Sequence, residues 1–91
     1  MHQDMRAHGD LTLAPTQAGI FIWRFEQRRG EPWSLKLIHV FDDLDAAISF
    51  ARAAMARTNG RVWFQERHGV IPIAEAREWE SFASSKHAVC N

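Results

Sequence analysis

Residues 40–60 read Val40-Phe41-Asp42-Asp43-Leu44-Asp45-Ala46-Ala47-Ile48-Ser49-Phe50-Ala51-Arg52-Ala53-Ala54-Met55-Ala56-Arg57-Thr58-Asn59-Gly60. The stretch carries a helix with its own start and stop. Asp42 or Asp43 suits the N-cap, because a short carboxylate accepts hydrogen bonds from the first free backbone amides. With Asp42 as cap, Asp45 falls at the third helical position, a weaker relative of the capping box. The three acids also lie at the positive end of the helix dipole, and Arg52 and Arg57 lie toward its negative end. Asn59-Gly60 supplies residue types that tolerate the left-handed conformation of a helix stop. At 100° per residue, Leu44, Ala47, Ile48, Ala51 and Met55 share one face, with Ala54 and Phe50 at its margin. Asp45, Ser49, Arg52 and Ala56 point the other way. This spacing predicts a helix that lies close to a sheet, anchored by Leu44, Ile48 and Met55.

Upstream of the helix, Ile20 to Gln27 is rich in β-branched and aromatic residues and reads as a strand. Phe21, Trp23 and Phe25 share one side; Ile20, Ile22, Arg24 and Glu26 share the other. Arg28-Arg29-Gly30-Glu31-Pro32 is a turn. Trp33 to Phe41 returns as a second strand, with Leu35, Leu37 and Phe41 on one side and Ile38 and Val40 on the other. Two strands joined so closely form an antiparallel hairpin. Downstream, Arg61 to Arg67 is a third strand, and His68-Gly69 turns into a fourth, Val70 to Ile73. Pro72 cannot donate to a ladder, so that strand is expected at a sheet edge. Ala74 to Ala83 reads as a second, shorter helix with Ala76, Trp79 and Phe82 or Ala83 on one side. The third strand is left free to sit beside the first or the second.

The expected architecture is therefore α+β: a two-layer domain in the order β-β-α-β-β-α, with a mostly antiparallel sheet and one main helix on one face. Residues 19–83 form the single domain. Residues 1–18 are expected to be a flexible lead, within which Leu11-Thr12-Leu13 adds at most a short edge strand, and residues 84–91 a flexible tail.

Composition bounds the function. The chain has 91 residues, 46% apolar and 24% charged, which is the make-up of one small globular domain. Six Phe and four Trp, with no Tyr, must supply much of its burial. A formal net charge of zero argues against a protein that lives by gripping duplex phosphates, and it leaves little repulsion to keep copies apart. The single cysteine, Cys90, points to a reducing, cytoplasmic setting rather than to a disulfide framework. No stretch approaches the length of a membrane span, and Met1 to His8 lacks the apolar core of a signal peptide.

Four kinds of site can be weighed. On the third strand, Val62 and Phe64 suit the helix side, which leaves Arg61, Trp63, Gln65 and Arg67 opposite. With Arg24 or Trp23 of the first strand and the Arg28-Arg29 turn, these would make a basic and aromatic face of the kind that stacks single-stranded bases. Alternatively Trp63 packs beneath the second helix or against a twin subunit, and the arginines are solvated or paired with Glu66, Glu75 and Glu78. Homodimerisation is the second kind: aromatic sheet surface without enough chain to cover it marks an interface. For metals, the spacing of His2, His8, His39, His68 and His87 makes no helical pair, and none joins a Cys-x-x-Cys setting. For catalysis, Asp42, Asp43 and Asp45 are explained by capping, and neither a phosphate loop nor a nucleophile elbow is present. No catalytic residue, metal ligand or cofactor is therefore assigned.

The run from Gly19 to Trp23, through Phe41-Asp42 and the alanine-rich helix, to Asn59-Gly60-Arg61-Val62 and His68-Gly69-Val70-Ile71 resembles certain short bacterial domains of unknown function. The likeness covers roughly residues 19 to 73. It implies the strand-strand-helix-strand-strand order and no functional residue; Trp33 and the helix around Trp79 depart from its pattern. Together these readings lead to a small, non-catalytic, cytoplasmic bacterial protein, homodimeric, acting as a binding or regulatory module. Single-stranded nucleic-acid binding is the competing expectation.

Overall fold

The computed structural model describes residues 5–75 of the chain. Its described part holds five strands and one α-helix: β1 (Leu11–Thr16), β2 (Gly19–Glu26), β3 (Ser34–Phe41), α1 (Leu44–Met55), β4 (Val62–Glu66) and β5 (Gly69–Pro72), followed by a 3-10 turn at Ile73–Glu75. The fold is α+β, with a single mixed but mostly antiparallel sheet in the order β3-β2-β1-β4-β5. The second helix expected over Ala74 to Ala83 falls almost wholly outside the described residues, as does the expected tail.

β1 departs furthest from the expected arrangement. Expected as a short edge strand in a flexible lead, it is instead the middle strand of the five. Leu11, Thr12 and Leu13 are all buried, as a strand covered on both faces and paired on both sides must be. The folded unit therefore begins well before residue 19, since Arg6 and Asp10 are buried too. β4 sits beside β1, not beside either strand of the aromatic hairpin. The β1–β4 pairing is parallel and runs only over Leu11–Leu13 against Val62–Phe64. Leu11 donates its N–H to the Arg61 carbonyl, so the alternate residues Leu11, Leu13 and Pro15 direct their backbones toward β4. Pro15 has no N–H to give, and its side of β1 is where that pairing has already ended.

The two hairpins follow the expected pattern. β2 and β3 pair antiparallel, and the connecting turn is closed by the Glu31 N–H on the Arg28 carbonyl, with Gly30 at φ 82°. That is the geometry of a type II turn, which needs positive φ at its third residue. β5 pairs with β4 and forms one edge of the sheet, as Pro72 requires.

α1 connects β3 to β4, which run parallel, so it crosses over β2 and β1 between them. Asp43 is the N-cap, its carboxylate accepting the Ala46 N–H at 3.2 Å. The helix ends sooner than Asn59-Gly60 predicts: Ala56 is the C-cap with right-handed φ and ψ, and neither Asn59 nor Gly60 takes positive φ. A Thr58 turn finishes it, with the Thr58 N–H on the Met55 carbonyl and the Gly60 N–H on the Thr58 hydroxyl. Leu44, Ala47, Ile48 and Ala51 pack into one core with Leu11, Leu13, Ile20, Ile22, Val62 and Phe64, and Met55 lies partly buried against it. A fully buried Leu or Ile in this set is worth about 1.5–3 kcal/mol. The apolar helix face read from spacing is thus the one the sheet covers.

Candidate interaction surface

The other face of the sheet divides in two. Register places Thr12 and Ala14 of β1, Phe21, Trp23 and Phe25 of β2, Leu35, Leu37 and Val40 of β3, and Trp63 of β4 on this side, away from α1.

One half is closed. Thr12, Phe25 and Trp63 are buried, with Trp63 only 4% exposed. Gly9, at φ 93°, and Asp10 form a bulge opposite Phe25: the Gly9 N–H reaches the Phe25 carbonyl, and the Phe25 N–H reaches the Asp10 carbonyl. A bulge of this kind re-aims the side chain that follows the glycine. Here it turns the Asp10 carboxylate inward, where it accepts the Trp63 indole N–H at 2.9 Å, the Ala7 N–H at 3.0 Å and the Arg61 N–H at 3.0 Å. Arg6 lies over the same region, with Nη1 on the Thr12 hydroxyl at 3.1 Å and its guanidinium 5.0 Å from the centre of the Phe25 ring. Trp33 stacks on Phe25 at 5.4 Å and has the Arg6 guanidinium 5.6 Å from its own centre. These are charge–quadrupole contacts made in a partly desolvated place.

The other half is open. Leu35, Leu37 and Val40 are about 40% exposed, and Trp33, at its margin, is 48% exposed. Phe21 and Trp23 lie half-buried beside them, their rings 6.1 Å apart. Val40 joins this patch, and not the opposite face that alternation predicts, because of a register shift. A bulge in β3 at Ile38 breaks the register between Ile22 and Trp23, so Val40 pairs with Phe21 and shares a face with Leu37 and Leu35. Phe41 is carried to the opposite face, where it and Ile38 pack against the core. One extra residue exchanges inside for outside along the rest of a strand. The charges of this hairpin lie on the α1 side, where Arg24 meets Glu26 at 2.7 Å and pairs in register with Lys36. The Arg24 hydrogen bonds to this carboxylate outweigh its desolvation and, with the positive charge of Arg24 behind them, hold the Glu26 carboxyl below its ordinary pKa of 4.5.

The expected basic and aromatic residues do not all converge. Arg61 and Arg67 flank opposite ends of β4, roughly 20 Å apart at about 3.3 Å per residue. Arg28 and Arg29 are exposed in the β2–β3 turn, at the Arg61 end of the sheet. Trp63, between the arginines of β4, is buried and offers no open ring face on which a base could stack. Of the predicted residues, Trp23 alone lies in the open patch. Phe21, Leu35, Leu37 and Val40 are its other members, and strand alternation signals all but Val40.

Among the described residues, no three His, Cys, Asp or Glu side chains come together as a metal-binding set. No described helix is long and apolar enough to cross a membrane. No protein-family model, curated protein or solved structure matches this chain.

Proposed function

We propose that the protein is a small, non-catalytic binding or regulatory module that works as a homodimer in a bacterial cytoplasm, a helical layer covering one sheet face and a second copy covering part of the other. The observation that carries this reading is the uncharged apolar area of Phe21, Trp23, Leu35, Leu37 and Val40 beside a half of the same face that is closed. Contiguous apolar surface on a small soluble domain marks a place of association, and aromatic residues supply the strongest anchors of such places. The zero formal charge removes the long-range repulsion that would oppose pairing of like chains. Acidic groups that chemistry might use have structural employment: Asp43 caps α1, Asp10 holds three N–H groups and Glu26 pairs with Arg24. The lone cysteine accords with a reducing compartment.

Light scattering or sedimentation across a concentration series tests this. The expected result is a species of twice 10.5 kDa that forms in the micromolar range. A species that stays at 10.5 kDa at every concentration overturns the dimer.

A further inference from the structure

We infer that the second copy docks face to face, sheet on sheet through Phe21, Trp23, Leu35, Leu37 and Val40, and does not extend the sheet edge to edge. This rests on the homodimer reading and specifies its geometry.

Both edges of the sheet are blunted. β5 is four residues long and ends in Pro72. β3 is longer, and its backbone is partly open. Phe25 gives both its N–H and its carbonyl to the β1 side, so alternate residues of β2 face β1 and the intervening ones face β3. By register, Leu35, Leu37 and Val40 therefore direct their backbones outward. The Ile38 bulge separates Leu37 from Val40 and puts the outward groups out of step, so no straight strand can follow them all. A twofold that paired Leu35 with Leu37 of a second copy would also set Lys36 against its twin. Bulges, prolines and edge lysines are the devices by which sheets resist lateral extension.

The bulge also rearranges the side chains. It moves Val40 onto the face of Leu35 and Leu37, which widens the apolar patch while spoiling the edge. The five residues are uncharged and lie across two adjacent strands, so the patch is a surface and not a line. Self-complementarity then needs only shape, because no charge meets its own image.

Area favours the face as well. Exposures of 38–48% at Trp33, Leu35, Leu37 and Val40, with the half-buried Phe21 and Trp23, make an apolar patch of a few hundred Å². Two such patches and their rims cover on the order of 1,000 Å², the low end for a specific interface. Face packing at the usual sheet separation of about 10 Å uses all of it. Edge pairing would use the β3 rim alone.

Phe21→Lys and Leu37→Lys, with circular dichroism and urea unfolding to verify the fold, decide the geometry. Both changes should weaken self-association by about tenfold or more, because each places an ammonium at the centre of the contact. Edge pairing would leave Phe21, on the inner strand, outside the contact; a Phe21→Lys chain that dimerises like the native one overturns face packing and leaves the dimer standing. A native chain that never dimerises overturns both, and assigns the patch to residues 76–91 or to a different protein. If Phe21→Lys does not fold, amide exchange in the native dimer decides instead. Edge pairing would slow the Leu35 and Leu37 amides about a hundredfold on dimerisation, whereas face packing leaves them within about threefold of the monomer.

Discussion

Asp10 collects donors from three separate places: the Ala7 amide in its own turn, the Arg61 amide ahead of β4, and the Trp63 indole inside β4. With Asp10 only 3% exposed, removing its carboxylate strips the acceptor from one buried donor, the Trp63 indole, and from two partly buried amides, those of Ala7 and Arg61. Each buried donor without an acceptor costs about 1–3 kcal/mol, and neighbours do not add fully. Asp10→Ala should therefore lower unfolding stability by about 3 kcal/mol or more, read from urea midpoints. Trp63→Phe keeps most of the ring and removes one donor, and should cost only about 1–2 kcal/mol. Equal losses for the two variants would show that ring packing, not the carboxylate, joins the lead to β4. Glu26 makes a smaller, pH-dependent case. Its folded pKa is depressed, so its contribution to stability is present above the ordinary value of 4.5 and is lost as pH falls through the folded value. Arg24→Gln should move the Glu26 titration, followed by carboxyl carbon NMR, upward toward 4.5. No movement would mean that the ion pair does not form in solution.

What could be read in advance differs from element to element, and the reason is distance along the chain. α1 was legible because cap, dipole charges and apolar face all lie within its own residues, and the structure uses Asp43 and the Leu44, Ala47, Ile48, Ala51 face as spacing indicates. The aromatic side of β2 and the edge position of β5 were legible for the same reason. β1 was not. It has six residues, and its place in the sheet is set by partners far away, such as the bond between Asp10 and Trp63 across 53 positions. The one local sign was the His8-Gly9-Asp10 turn ahead of Leu11, which the mixed composition of the lead obscures. The Ile38 bulge leaves no mark in residue type, so simple alternation puts Phe41 with Leu35 and Leu37 and Val40 opposite, the reverse of the observed faces. The central position of β1 has a direct test. Leu13 is fully buried, and Leu13→Ala should cost about 2–5 kcal/mol in urea unfolding. Leu35→Ala, on the open patch, should change monomer stability by no more than about 0.5 kcal/mol. Near-equal effects would mean that β1 does not hold the centre of the sheet.

At the scale of the whole molecule, association and stability are one equilibrium. A second copy that binds the folded chain and not the unfolded one raises apparent stability by mass action. The unfolding midpoint of the native chain should therefore climb with protein concentration through the range where the dimer forms. A contact made by uncharged apolar side chains adds a second signature. Sulfate should strengthen it by favouring burial, and moderate sodium chloride should change it little, since no fixed charges need screening. Binding through Arg28, Arg29, Arg61 and Arg67 to a phosphate backbone would behave oppositely and weaken steeply with salt. Leu37→Lys gives the internal control, because Leu37 is already 41% exposed and the substitution leaves the α1 core untouched. Its midpoint should match the native value at low concentration and stay flat as concentration rises. If the native midpoint is also flat between about 1 and 100 µM, dimerisation contributes nothing to stability in that range. If it rises but falls back steeply with sodium chloride, charged side chains and not the Phe21–Val40 patch hold the copies together.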